Sequence, residues 1–271
     1  MKKRFVWDHD LHIHSRLSSC SNDPGQTPER LLAYAKENGL ITLCLTDHYW
    51  DSAVPDTSLW YAPQNFEHIS QSRPLPLDPE VNFLFGCETE LRADLTLGIP
   101  DFRFKDFDFV VIPTTHLHMT GHTLSREDAA SLEARARLWT ERLEGVLNKD
   151  LPFRKIGIAH LACPLLSPTK ETYATLLDMI PAEDMKRLFA KAASLGVGIE
   201  LNSADMDFCE NDAEAVLRIF RIAKQEGCKF YFASDAHHPD YLPRVKPIFE
   251  RTIDLLELTE DDKFAIPSKT T

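Results

Sequence analysis

His12 and His14 stand two residues apart in Asp10-Leu11-His12-Ile13-His14, at the end of an apolar run that reads as a strand. On a strand both side chains share a face, so two imidazoles can meet on one ion, and imidazole suits Zn, Mn and Fe. Asp235 and His237, in Ser234-Asp235-Ala236-His237, repeat the spacing with a carboxylate. Alone, such a pair is a weak signal, and a lone His48 or His160 is more often a satisfied structural histidine than a ligand. The weight lies in the set. Thr46-Asp47-His48, Gly86-Cys87-Glu88, Thr115-His116-Leu117-His118, Ala159-His160 and Glu200-Leu201-Asn202 also follow apolar runs. Each apolar run thus ends in a histidine or a carboxylate, and one metal cluster explains that better than a series of separate structural roles.

The elements that would position these residues alternate in type. Strands are expected over 5–13, 41–45, 81–85, 107–112, 156–159, 197–201 and 230–233. A helix over 28–38 is opened by Thr27-Pro28-Glu29 and closed by Gly39. Further helices are expected over about 125–148, 170–194 and 212–226. Near-continuous apolar strands alternating with helices imply a parallel sheet covered by helices, and at least seven strands suggest closure into a barrel. In an α/β barrel the C-terminal rim of the strands is where active sites form. The stretch over about 49–79 breaks the rhythm: it is rich in Pro, Ser and Asp and carries Trp50, Trp60 and Tyr61. It reads as an insertion over the active-site face, as a lid or as a surface excursion packed by its own aromatics.

A chain of 271 residues, 43% hydrophobic, can bury one large core, and no linker divides it, so one barrel domain over 1–271 is expected. The net charge of −12 argues against a general binder of nucleic acid or anionic membrane. It leaves a phosphorylated substrate open, since three divalent ions would bring roughly six positive charges into a pocket. No signal peptide or membrane-spanning stretch is visible. The cysteines (Cys20, Cys44, Cys87, Cys163, Cys209 and Cys228) are scattered without a CxxC pair and read as reduced thiols, so a cytoplasmic protein is expected.

In order along the chain, Asp10-Leu11-His12-Ile13-His14-Ser15, Leu45-Thr46-Asp47-His48, Gly86-Cys87-Glu88, His116, Ile158-Ala159-His160 and Ala233-Ser234-Asp235-Ala236-His237 resemble the motifs of the PHP (polymerase and histidinol phosphatase) superfamily. The resemblance spans about the first 240 residues, and the ordered set is far more specific than any one motif. It implies a distorted (β/α)7 TIM-like barrel and two or three divalent metal ions (Zn, Mn or Fe), used mainly for phosphoester hydrolysis. By the same resemblance His12, His14, Glu88 and Asp235 would bind one ion. Glu88 would bridge to a second, held also by His116 and His160, and His48 and His237 would bind a third. Where the superfamily often supplies another histidine to that third ion, this chain has Cys20, a departure that bears on its metal preference. His118 competes with His116, because both share a strand face.

Around the expected ligands, Asp10, Asp47 and Glu200 are candidates to orient imidazole N–H groups. Arg16, Arg92 and Arg244 are candidate phosphate clamps. His9, His68, His122 and His238 match no motif. Glu127, Glu133, Arg135, Arg137, Glu141 and Arg142 read as the solvated face of a helix. The function expected is hydrolysis of a small phosphorylated metabolite, in the manner of histidinol phosphatases, by a hydroxide bridging two ions, with Glu88, His48 and His237 in the catalytic roles. Phosphodiester hydrolysis of nucleotides or short oligonucleotides is the second reading. A non-catalytic, metal-stabilised binding module is the third, against which the nearly complete ligand set argues. No long nucleic acid and no membrane is expected as a partner.

Overall fold

The computed structural model describes residues 2–129 and 131–266. Its strands are β1 (His9–Ile13), β2 (Thr42–Leu45), β3 (His48–Tyr49), β4 (Asn82–Thr89), β5 (Phe109–Pro113), β6 (Ile156–Ala159), β7 (Gly198–Asn202) and β8 (Lys229–Ala233). They form one parallel sheet in the order β1-β2-β4-β5-β6-β7-β8. The two-residue β3 continues where β2 stops, pairing His48 with Glu88 and Tyr49 with Thr89 on the upper half of β4. The sheet is nearly closed into a distorted barrel of seven main strands, as the sequence led one to expect.

Closure falls between β1 and β8, and side chains carry part of it. At the top, Asp235 N donates to His12 O (2.7 Å) and His14 N to Ala236 O (3.2 Å). Lower down, Phe232 N donates to His9 Nε2 and Ser234 N to Asp10 Oδ1, both at 3.0 Å. His9 and Asp10 thus satisfy backbone donors that a regular ladder would pair with carbonyls. The register of β1 on β2 also shifts between Asp10 and Ile13. A local irregularity of this kind re-aims side chains, and here it lies beside His12.

The helices are α1 (Pro28–Asn38), α2 (Phe66–Ile69), α3 (Leu132–Leu147), α4 (Tyr173–Met179), α5 (Ala182–Leu195), α6 (Ser203–Met206), α7 (Ala213–Gln225) and α8 (Leu242–Leu255). In α1, Thr27 accepts from Arg30 N and Gly39 turns the chain at φ +69°, as its punctuation predicts. The helix expected over 170–194 is two, because Ile180 precedes Pro181 and is held extended. The helix expected from about 125 starts at Leu132, capped by the Ser131 side chain; residue 130 lies outside the described residues. Neither β3, only two residues long, nor α8, whose periodicity is interrupted by Pro243 and Pro247, is among the elements expected from the sequence.

Two apolar layers hold the barrel. Inside it, Leu11, Cys44, Leu84, Phe109, Val111 and Tyr231 pack with Phe264, whose N–H donates to Phe230 O at the start of β8. Outside it, the larger cluster fills the space between strands and helices, with Trp139, Phe189 and Phe220 fully buried. Each such side chain contributes about 1.5–3 kcal/mol by leaving water. One expectation for α3 fails. Glu127, Glu133, Arg137 and Glu141 are exposed, but Arg135 and Arg142 are buried. Arg142 donates to the carbonyls of Leu91, Arg92, Thr114 and Thr123, and Arg135 to those of Ala129, Leu117 and Leu166. These two arginines tie together the loops that follow β4, β5 and β6, so they belong to the interior.

Candidate metal centre

Three groups of possible ligands converge at the rim. His12, His14 and Asp235 form one, Glu88, His116 and His160 a second, and His14, His48 and His237 a third; within each, one donor atom per residue lies within 4.8 Å of the others. Glu88 stands between the first two. Its Oε2 is 3.5 Å from both His12 Nε2 and His14 Nε2, while its Oε1 is 3.3 Å from His160 Nε2. Asp235 Oδ1 lies 3.1 Å from His14 Nε2. Cys20 lies in an exposed loop at the edge of the centre, where it lines the same cavity as His48 and His237.

The imidazoles are turned by acceptors behind them. His12 Nδ1–H donates to Glu200 Oε2 at 2.9 Å, and His116 Nδ1–H donates to Glu90 Oε2 at 2.8 Å. His14 Nδ1–H donates to Ser18 Oγ (2.8 Å), whose own proton goes to Asp47 Oδ1 (2.7 Å). His160 Nδ1–H donates to Thr115 Oγ1, whose proton goes to His160 O, both at 2.9 Å. His237 Nδ1–H donates to Asp235 O at 2.8 Å. A carboxylate or carbonyl can only accept, so each Nδ1 carries the proton and each neutral ring presents its Nε2 lone pair inward.

Those lone pairs face one another. His12 Nε2 and His14 Nε2 are 3.0 Å apart, and the Nε2 lone pair of His237 is 3.4 Å from His48 Nε2, on a ring whose tautomer no neighbour fixes. Two acceptors as close as those of His12 and His14 repel unless a cation lies between them. Two imidazole nitrogens about 2.1 Å from one ion and at right angles about it are about 3.0 Å apart. His48 Nδ1 comes within 2.7 Å of Glu88 Oε2 without an aligned hydrogen bond, and both atoms are buried. The donor set therefore fits divalent ions such as Zn. The charge balance agrees. Burial opposes protonation of His12, but Glu200, Asp235 and Glu88 outweigh it and raise its pKa well above the ordinary value. Burial would raise Glu88 and Asp235, but the surrounding imidazoles hold both well below the usual carboxylate range. The same field that would load protons here attracts a metal ion in their place.

The backbone is bent to make this possible. His160 and Asp235 have φ of +29° and +52°, conformations that side-chain-bearing residues rarely adopt. Behind His12, Tyr231 donates to Glu200 Oε2 at 2.8 Å. Its ring has room because position 157 is glycine; a Cβ there would lie 2.2 Å from the Tyr231 hydroxyl oxygen.

The structure brings together His12, His14, His48, Glu88, His116, His160, Asp235 and His237, with Cys20 at the edge. It sets His116 against Glu88 and His160 and leaves His118 exposed at the mouth. Of the candidate orienting carboxylates, Glu200 holds His12 directly and Asp47 reaches His14 through Ser18. Asp10 instead accepts from Ser234 N, His12 N and the Tyr34 hydroxyl. The residues sequence reasoning missed are Glu90, Ser18 and Thr115. Glu90 had a signal, since it lies two residues beyond Glu88, just past the end of β4.

A cavity of about 550 Å³ opens over the centre, with Glu88, Asp235, His48 and His237 on its wall beside Trp60, Tyr61, Met119 and Leu165. The 49–79 stretch supplies Trp60 and Tyr61, and the Trp60 ring lies 5.1 Å from that of His48. None of the candidate arginines lines the cavity. Arg92 pairs with Asp56 and Asp94, and Arg244 borders a separate hollow beside Tyr241. No helix among the described residues is long and apolar enough to cross a membrane.

No protein-family model matches the sequence, and no curated protein sequence does either. Solved structures do match in fold. The histidinol phosphate phosphatase HisK from Lactococcus lactis subsp. lactis Il1403, complexed with Zn, L-histidinol and phosphate, aligns with a TM-score of 0.53 at 17% identity. The alignment covers 90% of this chain and 93% of that one. A candidate histidinol phosphatase HisK from Listeria monocytogenes aligns with a TM-score of 0.64 at 14% identity, covering 89% of this chain and 99% of that one. The likeness is one of fold, and it agrees with the resemblance carried by the motifs.

Proposed function

We propose that this chain is a metal-dependent phosphoesterase of the PHP kind, acting on a small phosphomonoester. The observation that carries the reading is the inward-facing pair of His12 and His14, 3.0 Å apart, with Glu88 between two ligand groups. His12, His14, Asp235 and Glu88 would hold one ion, Glu88, His116 and His160 a second, and His48 and His237, with Cys20, a third. Ions held there would activate water as a nucleophile and neutralise charge on the phosphoryl oxygens. Glu88 keeps both of its oxygens turned to the centre and joins the two groups. His48 and His237, on the cavity wall, are the groups this chain offers to the leaving oxygen. Glu200, Glu90, Thr115 and the Ser18–Asp47 pair fix the rings, so little reorganisation is required during reaction. Both HisK structures share this fold, which supports the phosphatase reading.

Phosphodiester hydrolysis is the second reading. It is favoured by the lack, among the described residues, of a lysine or arginine lining the cavity, since a diester brings one charge fewer than a dianionic monoester.

The test combines metal analysis with a panel of monoesters, diesters and cyclic phosphates on one preparation. At least two ions per chain and turnover of monoesters are expected, and Glu88→Gln should abolish turnover in a folded protein. Less than one ion per chain after reconstitution, or near-native turnover by Glu88→Gln with full metal content, would sink the reading.

A further inference from the structure

We infer that the wall formed by Trp60, Tyr61, Met119 and Leu165 is a subsite for an uncharged aromatic or apolar leaving group; this rests on the phosphoesterase reading above. The reacting phosphorus would sit at the floor, beside Glu88, Asp235 and His237, so the organic part of the ester must lie along the wall above it. That wall is apolar and open. Trp60 is 38% and Leu165 40% exposed, large apolar side chains left at the mouth of a concave site. Apolar surface of this kind, rimmed by polar residues, marks a place where a ligand is covered.

The Tyr61 hydroxyl and the Trp60 backbone are already engaged, and His118, exposed at the mouth, is a polar ring that also lines the cavity. The Tyr61 hydroxyl donates to Glu90 Oε2 at 3.1 Å, so Tyr61 offers the cavity only its ring. Trp60 is fixed from behind: its carbonyl accepts from Gln64 Nε2 (3.1 Å), and Gln64 Oε1 accepts from Ser19 N (2.9 Å). A wall ordered before binding loses little entropy when a flat group stacks on it. Among the described residues no lysine or arginine lines the cavity, and its carboxylates, Glu88 and Asp235, are committed to imidazoles. A leaving group rich in hydroxyls, or one carrying an ammonium, would shed more water against the Trp60, Tyr61, Met119 and Leu165 side chains than those side chains replace.

The test compares three primary-alcohol phosphates with the metal-loaded protein: 2-phenylethyl, 2-aminoethyl and glycerol phosphate. In parallel, binding of 2-phenylethylphosphonate and 2-aminoethylphosphonate, which cannot be hydrolysed, is measured by calorimetry. The phenyl ester should have kcat/KM about tenfold or more above the other two, a difference within reach of one apolar contact. The phenyl phosphonate should bind with the same preference. Trp60→Ala should collapse both ratios toward one, and Trp60→Phe should restore most of them. Equal binding of the two phosphonates, or ratios unchanged in Trp60→Ala, overturns the subsite whatever the turnover. Absence of turnover on all three esters counts against the phosphoesterase reading, and the phosphonate comparison still decides the subsite.

Discussion

Glu90 accepts the Nδ1–H of His116 at 2.8 Å on the oxygen that also takes the Tyr61 hydroxyl. One buried carboxylate therefore ties a candidate metal ligand to the aromatic wall of the cavity. Burial disfavours its charge, but His116 and Arg142 outweigh that and hold its pKa below the ordinary value.

The Glu90→Gln variant keeps the shape and removes the charge. Second partners of this kind typically contribute 10–100-fold to metal affinity. A chelator-competition titration should show a loss of about that size in Glu90→Gln, and a smaller one in Tyr61→Phe. If Glu90→Gln binds metal as tightly as the parent, His116 is not held for a metal by Glu90.

How much of this was legible beforehand follows from distance along the chain. His12 and His14 are neighbours on one strand, so their spacing alone told that they share a face. The alternation of apolar runs and helices likewise foretold the barrel. Glu90, Ser18 and Thr115 act on rings through contacts set by the register between strands and by turn geometry, which no local pattern encodes. Arg142 misled for the opposite reason: a charged residue on a helix is usually solvated, and only the surrounding carbonyls reveal that it is interior.

Gly157 offers a test of support from inside the barrel. Because a Cβ at this position would meet the Tyr231 hydroxyl oxygen at 2.2 Å, Gly157→Ala should displace Tyr231 and loosen Glu200 behind His12. Overpacking of this kind costs about 1–3 kcal/mol. Urea unfolding of the metal-free protein should report that loss, and metal titration should show weaker binding. A variant with parental stability and affinity would mean that the Tyr231–Glu200 contact adjusts freely.

His9 makes stability depend on pH at the β1–β8 seam. Burial lowers its pKa, with the Asp8 hydrogen bond opposing in part, and its Nε2 must stay unprotonated to accept from Phe232 N. A histidine with a folded pKa below its unfolded value of about 6.5 takes up its proton only on unfolding. Its contribution is therefore complete above about pH 6.5 and is lost as pH falls from there toward the folded pKa. The His9→Gln variant can still present an oxygen to Phe232 N but does not titrate. Urea unfolding at pH 7.5 and 5.5 should show the parent losing stability relative to His9→Gln, by up to about 1.4 kcal/mol per pH unit within the window. A difference between the two proteins that stays constant with pH would remove His9 as the cause.

Cys20 is where the chain departs from the pattern it otherwise follows. Burial pushes the thiol up, but the neighbouring His237 and His48 imidazoles outweigh it and bring its pKa down to about 6. A sulfur in that setting is a soft donor, so a site made with His48 and His237 would favour Zn or Fe over Mn or Mg. Bound metal would also shield it from alkylation. In Cys20→Ser one ion per chain should be lost while the ions at Glu88 stay, and Cys20→His should recover it with a shift toward Mn. Metal counting on the three proteins after reconstitution, with iodoacetamide labelling of the parent before and after chelation, reads out both effects. Unchanged metal content in both variants, together with labelling indifferent to chelator, would leave Cys20 outside the centre and the centre without a thiolate.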